Sequence, residues 1–384
     1  MQPNPQFQSA IFFGMRQPLL QAFGKAVTER NITVAQTNAK INRQQFRSQV
    51  ETVVRQVSDF YWDLVEAKAQ LDVSKESLDL AKDLHRMNSI QVEVGTLAPL
   101  EMVQSEATVA TREEDIIRRQ QVVGDAEDQL RRLMNMEGGD LWAVPLAPTT
   151  DPEIEHAPID LQVAVETAFR QRSDVLQKEL SNRTAELDAK VAHSQAKPKV
   201  DLVASYGFNG VGGTIDTTAP DGSPIFEETT YSETLEQLTD GLYEGWTVRL
   251  EFAMPLQNRA AKARRAKADL TVEQSNLELK DLKNQVFVDV RRAARAVETA
   301  AKAIESARVS SKLAQKNLEA EQKRYENGLS TSFQVLEIQE DLSAAKSREV
   351  AAVIAYRKAL TAFRLQTGQL LDAQKVVLAD DDEG

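Results

Sequence analysis

The architecture of this chain follows from Arg324-Tyr325-Glu326-Asn327-Gly328-Leu329-Ser330-Thr331-Ser332-Phe333. This stretch sits inside roughly 90 residues that otherwise read as unbroken helix. Asn327-Gly328 is the helix-breaking pair there, and glycine ends helices in a left-handed cap. Ser330, Thr331 or Ser332 can cap the helix that restarts. The stretch therefore predicts a sharp turn at the tip of a long antiparallel helical hairpin.

A second copy lies upstream. Gln91-Val92-Glu93-Val94-Gly95-Thr96-Leu97-Ala98-Pro99-Leu100 carries its glycine 233 positions before Gly328. Pro99 suits the first turn of a returning helix. At the same offset Val57 meets Val290, Leu64 meets Val297, Leu71 meets Ile304 and Ala81 meets Ala314. Separately, at an offset of 238, Ile32-Thr33-Val34-Ala35-Gln36-Thr37-Asn38 matches Leu270-Thr271-Val272-Glu273-Gln274-Ser275-Asn276. These matches predict an internal duplication, each repeat being a strand, a long helix, a turn and a return helix.

Composition agrees with long helices. The 384 residues hold 16 glycines, 12 prolines and only 6% aromatics. Slender helices packed through alanine and valine need little bulk. A net charge of −12 argues against nucleic acid as a partner. The absence of cysteine excludes disulfides, thiolate metal sites and a cysteine nucleophile. No apolar run reaches the roughly 20 residues of a spanning helix. Met1-Gln2-Pro3-Asn4-Pro5 offers no basic or apolar signal region.

Taken in order, residues 1–23 hold a strand, because Phe7, Ser9, Ile11, Phe13 and Met15 alternate with Gln8, Ala10, Phe12, Gly14 and Arg16. Residues 24–136 form the first helical hairpin, whose first helix would span roughly 105 Å at 1.5 Å per residue. Residues 137–197 are a proline-rich connector, with a short strand expected near Trp142. Asp160 is expected to cap a helix at 161–171, and Ser173 a helix at 174–196. Residues 198–256 carry two alternating segments, at 200–209 and 246–254, separated by a long acidic loop over 210–244. Residues 257–368 form the second hairpin, and 369–384 end in a disordered acidic tail, Asp380-Asp381-Asp382-Glu383.

The alternation bears on function. Trp246, Val248, Leu250 and Phe252 oppose Thr247, Arg249 and Glu251, and Leu202 and Tyr206 oppose Asp201 and Ser205. Two settings fit this pattern. One is a small half-solvated sheet packed on helices. The other is transmembrane β-strands, apolar toward lipid and polar toward a water-filled lumen. Three or four such strands cannot close a barrel alone, and open edges are not tolerated in lipid, so several chains would share one barrel.

The sequence resembles the outer membrane efflux protein family, the TolC-like outer-membrane factors. The likeness rests on Gln17-Pro18-Leu19-Leu20 and Met254-Pro255-Leu256 at the strand-to-helix junctions, and on Phe60-Tyr61-Trp62-Asp63-Leu64. It also rests on the two tips, and it runs from about Phe7 to Leu371. It implies a mostly α fold with a small β part: two tandem repeats of long antiparallel helical hairpins plus transmembrane β-strands. These would assemble as a homotrimer, an α-barrel continuous with a shared β-barrel. It further implies an outer-membrane location reaching into the periplasm, and lipid contact through Leu202, Tyr206, Trp246, Val248, Leu250 and Phe252. Partners would be a periplasmic adaptor and an inner-membrane pump. The family carries one more strand and a helical segment before residue 7, so the resemblance implies a chain that starts late. The competing expectation keeps the hairpins without the membrane, as a helical scaffold or a periplasmic adaptor.

No catalytic constellation, metal site or cofactor is expected. His85, His156 and His193 are scattered, and phosphate-loop glycine motifs are absent. In the family the tunnel closes at the tips, where acidic residues after each turn form rings. By position these are Glu101, Gln334 and Glu337, and carboxylate rings favour cations. A solvated helix face is the plainer reading of both glutamates. The tips Val94-Gly95-Thr96-Leu97 and Asn327-Gly328-Leu329-Ser330 would dock the adaptor: glycine permits close backbone approach, and Leu97 and Leu329 are expected to be exposed. The same two glycines also read as simple helix caps. Tyr325 resembles a family residue that ties neighbouring helices in the closed state; its usual basic partner is Ser330 here. Lys262, Arg264, Arg265 and Lys267 form a basic cluster that fits either a solvated face or lipid headgroups.

Overall fold

A computed structural model describes residues 6–150, 158–241 and 243–378. His156 and the acidic Asp380–Glu383 end lie outside the described residues. The chain divides into two compact units, one from the described part of Met1–Lys40 with Glu179–Glu278, the other from Ile41–Lys178 with the described part of Leu279–Gly384.

The first unit is built on an antiparallel sheet of β1 (Gln6–Pro18), β2 (Lys199–Thr218), β3 (Pro224–Thr229) and β4 (Glu244–Ala253). Gly213 pairs with Gln6 on one side and Thr229 on the other, so β3 lies opposite β1. β4 pairs with β2 from Lys199 to Phe208, and β3 takes over from Gly213 to Thr218. β3 and β4 thus share one edge of β2; the sheet is three strands wide where β4 pairs, and beyond Gly213, among the described residues, only β2 and β3 continue.

The expected acidic loop at 210–244 is corrected by this arrangement. β2 runs on to Thr218, returns as β3, and is followed by helix α7 (Tyr231–Asp240). The local reasons are turn and capping chemistry. Asp221 accepts from the Ser223 amide at 3.0 Å and Gly222 adopts φ +87°, which tightens the hairpin. Thr230 and Glu233 form a capping box, and Gly241 at φ +66° ends the helix. The density of acidic side chains masked these signals.

The second unit is helical. α2 (Arg30–Glu93) turns into α3 (Pro99–Leu133), and α8 (Arg259–Glu326) into α9 (Ser332–Gln366). α3 and α9 each have 35 residues, and both their ends lie 233 positions apart. The positive-φ residues recur at that offset too: Gly95 with Gly328 at the tips, and Asn135 with Gly368 at the far ends. Three apolar clusters hold these helices. Leu84, Leu318, Tyr325, Val335 and Leu342 pack near the tips. Val297, Ile304 and Tyr356 pack further along. Val286 and Val290 meet Ala168 and Val175 of the connector helices.

Asp160 caps α5 (Leu161–Gln171), accepting from the amides of Gln162 and Val163. α6 (Ser173–Gln195) begins one residue earlier than expected, and Ser173 is its first residue rather than its cap. Asp174 accepts from the Val175 amide instead. The expected strand near Trp142 is a helical turn, α4 (Asp140–Ala143), entered through Gly139 at φ +130°. The remaining short helices are α1 (Lys25–Thr28) and α10 (Leu370–Ala373). Among the described residues no helix is long and apolar enough to cross a membrane.

Candidate functional site: hairpin tips and strand faces

Both tips close by the same backbone geometry. The Gly95 amide donates to Val92 O and the Thr96 amide to Gln91 O, at 3.0 and 2.8 Å. The Gly328 amide donates to Tyr325 O and the Leu329 amide to Arg324 O, at 2.9 and 2.8 Å. This is a Schellman motif, in which the glycine holds the left-handed conformation. Gly95 and Gly328 sit at φ +76° and +72°, and beyond their chain neighbours no described atom lies within 4 Å of where a Cβ would stand. The backbone, not crowding, demands glycine.

The restart differs between the tips. Of the three candidate caps, Thr331 is the one used: its hydroxyl accepts from the Gln334 amide, and the Gln334 side chain accepts from the Thr331 amide. α3 has no side-chain cap and starts on Pro99. Ser330 donates its one hydroxyl proton to the Glu321 carboxylate, with Gln334 Oε1 also 2.9 Å from its oxygen.

Polar bonds tie one hairpin to the other beside the tips. The Tyr325 hydroxyl donates to Asn88 Oδ1 at 2.5 Å. The Ser332 hydroxyl donates to the Glu101 carboxylate. Gln339 Nε2 donates to Leu80 O at 3.2 Å. Asn88, Ser332 and Gln339 are all buried. Burial, with the Glu101 charge nearby, pushes the Tyr325 phenol up from its ordinary 10.0, so it remains a neutral donor at neutral pH.

Glu101 is half-buried and engaged with Ser332, whereas Gln334 and Glu337 are exposed on α9. Val94 and Leu329 are exposed, but Leu97 is half-buried, which corrects its expected exposure. Ile90, Leu100 and Phe333 join Val94 and Leu329 as exposed apolar side chains around the tips. Sequence reasoning missed Asn88, Ser332 and Gln339. The available signal was polar residues at three- and four-residue steps within apolar stripes: Leu84 and Asn88 on α2, and Ser332, Val335, Gln339 and Leu342 on α9.

The sheet separates its side chains by face. Register aligns Phe13, Tyr206 and Trp246 in one row, Met15, Ala204 and Val248 in the next, and then Leu202 with Leu250 and Val200 with Phe252. Trp246 and Phe252 on this apolar face are 74% and 67% exposed. Leu202 is half-buried by its neighbours. The other face gathers charge. Arg16 Nη2 reaches Glu251 at 2.5 Å and Arg16 Nε reaches Asp201 at 3.4 Å. Arg249 Nε reaches the second Glu251 oxygen at 3.0 Å, and Lys199 reaches Asp201 at 3.5 Å. The basic cluster on α8 is exposed, with Arg265 against Asp269, which also bonds His193 at 2.6 Å. Among the described residues no cluster of histidine and carboxylates could hold a metal ion.

Residues 13–136 and 164–369 match the family described as Outer membrane efflux protein. The fold is similar to that of the outer-membrane channel OprN, at 13% identity and TM-score 0.67, covering 94% of this chain and 82% of that one. It is similar to the CmeC outer membrane channel of Campylobacter jejuni, at 15% identity and TM-score 0.64, over 95% and 78% of the two chains. It is also similar to the MtrE outer membrane channel of Neisseria gonorrhoeae in its open state, at 14% identity and TM-score 0.63, over 95% and 81%. No curated protein matches the sequence.

Proposed function

The chain belongs to the outer membrane efflux protein family and is an outer-membrane duct for tripartite efflux, and from that premise we propose how its parts serve export. Three copies share one β-barrel in the outer membrane and one helical tunnel in the periplasm. The observation that carries this reading is the sheet register. It collects Phe13, Tyr206, Trp246, Val248, Leu250 and Phe252 on one face and the ion-paired Arg16, Asp201, Arg249 and Glu251 on the other. Apolar aromatics toward lipid and charges toward a wet lumen is the pattern of a transmembrane barrel. A three-wide sheet with free edges cannot stand alone in lipid, so its edges pair with neighbouring copies.

The two hairpins are a tandem duplication, supported by the common offset of their glycines and helix ends. The tips at Val94–Leu97 and Asn327–Ser330 receive a periplasmic adaptor, which links the duct to an inner-membrane pump. The open space over Gly95 and Gly328 and the exposed Val94 and Leu329 suit a close-fitting partner. Glu337, and Gln334 one turn before it, line the aperture as three-fold rings. Glu101 acts there through Ser332, holding the hairpins together. No catalytic step, metal or cofactor is part of this reading.

The test is the mass of the protein extracted from membranes, with and without detergent. A detergent-dependent trimer from the outer-membrane fraction supports the duct. A species that stays soluble without detergent overturns the barrel and leaves a helical scaffold. In reconstituted trimers Glu337→Gln should then lower the preference for cations, read from the reversal potential in a salt gradient.

A further inference from the structure

Helix α7 lies on the apolar face of the sheet, not beyond its end. Gly210 and Gly212 share the parity of Tyr206 and Phe208 along β2, so their missing side chains would point from that same face. A Cβ on Gly210 would stand 2.1 Å from the Thr234 carbonyl oxygen, and one on Gly212 2.2 Å from the Thr234 hydroxyl. Thr234 is fully buried there. Ser9, paired with Gly210, donates to the Thr234 carbonyl at 2.9 Å, and the Phe7 ring meets Tyr231 edge-on at 5.9 Å. The glycines form the seat of the helix.

α7 also closes a gap in the edge of β2. β4 pairs no further than Phe208 and β3 starts at Gly213. Between them the Asn209 amide donates to Tyr243 O at 2.9 Å, and the Val211 amide to Gln237 Oε1 at 3.0 Å. With its capping box and Gly241 the helix satisfies its own ends. An edge that would otherwise be open is thereby sealed.

Its height on the sheet is fixed by register. The seat lies two and three same-face rows past the Tyr206–Trp246 pair, toward the strand ends opposite Pro18, Lys199 and Ala253. From Trp246 to Met254 the strand advances about 27 Å at about 3.4 Å per residue, or about 20 Å across the membrane after a tilt near 40°. An apolar band of about 25 Å ends close to the level of α7. Tyr231 and Tyr243 are exposed at this level, where aromatic side chains collect at membrane–water boundaries.

We propose that α7 lies in the headgroup layer of the outer leaflet as an interfacial helix of the barrel, with Leu235 and Tyr231 against lipid and Glu233, Glu236 and Asp240 toward water. This rests on the reading that the apolar sheet face meets lipid. It adds a lipid contact made by a helix that caps the lipid-facing band.

The chain has no cysteine, so single labels are clean. Leu235→Cys and, separately, Leu250→Cys would be labelled with bimane and reconstituted into phosphatidylcholine–phosphatidylglycerol vesicles. The vesicles carry phospholipid nitroxides at the headgroup or deep in the acyl chain. The expected result is deep quenching at position 250 and headgroup-level quenching at position 235. Quenching at 250 with only aqueous iodide quenching at 235 overturns the inference and leaves the barrel intact. Absence of lipid quenching at 250 overturns the barrel reading itself. Adding Gly210→Val to Leu235→Cys should unseat α7 and move the label from lipid to iodide quenching; an unchanged profile overturns the seat.

Discussion

The Tyr325 hydroxyl donates to Asn88 Oδ1 across the two helical hairpins, 2.5 Å apart and both buried, about one turn before Gly328 and about two turns before Gly95. The bond sits on the apolar cluster of Leu84, Leu318, Val335 and Leu342. Removing one partner of such a pair leaves the other buried without a bond. Tyr325→Phe should therefore cost about 1–3 kcal/mol of stability, read as a lowered Tm. Tyr325→Phe combined with Asn88→Leu should recover part of that loss, since no polar group is then stranded. An additive double variant would show that the bond carries no coupling.

Gly328→Ala forces a side chain into the left-handed region at φ +72° with nothing crowding it. The backbone penalty is about 1–2 kcal/mol, and it should appear as faster amide exchange confined to the tip. Gly328→Asn should cost less, because asparagine tolerates this conformation. If the open space over the glycine receives an adaptor, Gly328→Asn should weaken adaptor binding far more than it changes Tm. Equal, small effects on both would mark the glycine as a helix cap alone.

Leu250 and Thr247 lie on opposite faces of β4. If this face meets lipid as proposed, Leu250→Arg should cost about 2–4 kcal/mol and abolish recovery of the assembled protein from the outer membrane. Thr247→Arg, on the face proposed to meet water, should assemble normally. Equal tolerance of both would remove the lipid contact from this face.

Two carboxylates in the helical unit should give opposite pH slopes. Burial opposes the charge on Asp174, but the Arg172 guanidinium bonded to it outweighs burial and holds it below its ordinary 3.8. Its stabilisation is present above 3.8 and lost as pH falls through the lower folded value. Burial raises Glu51 above its ordinary 4.5 despite Arg47. Stability linked to Glu51 is full below 4.5 and is lost as pH rises through the raised folded value. Asp174→Asn should lower Tm at neutral pH and flatten the acid limb, whereas Glu51→Gln should raise Tm at neutral pH. Unchanged Tm–pH curves for both would remove these linkages.

Residues governed by short-range rules were legible in the sequence. Asn327-Gly328 predicts a turn because glycine accepts positive φ, and the turn is there. Asp160 predicts a cap because its carboxylate can accept two first-turn amides, and it does. The alternation of Trp246, Val248, Leu250 and Phe252 predicts one apolar face, which register places beside Tyr206 and Leu202. Trp142 misleads because an aromatic favours a strand, while the entry through Gly139 sets a helical turn. Leu97 misleads because its burial depends on packing around it, not on its position after a turn.

The two hairpin turns, the cap at Asp160 and the shared faces of the strand residues could all be read from sequence. Each of these follows from backbone preference or from a period of two or 3.6, acting over a few residues. That Tyr325 finds Asn88, 237 positions away, follows from packing between the hairpins. Packing likewise brings β3 and β4 to one edge of β2, and makes Gly210 and Gly212 a seat for Thr234. These outcomes depend on which distant surfaces meet, and local periodicity carries no record of the partner.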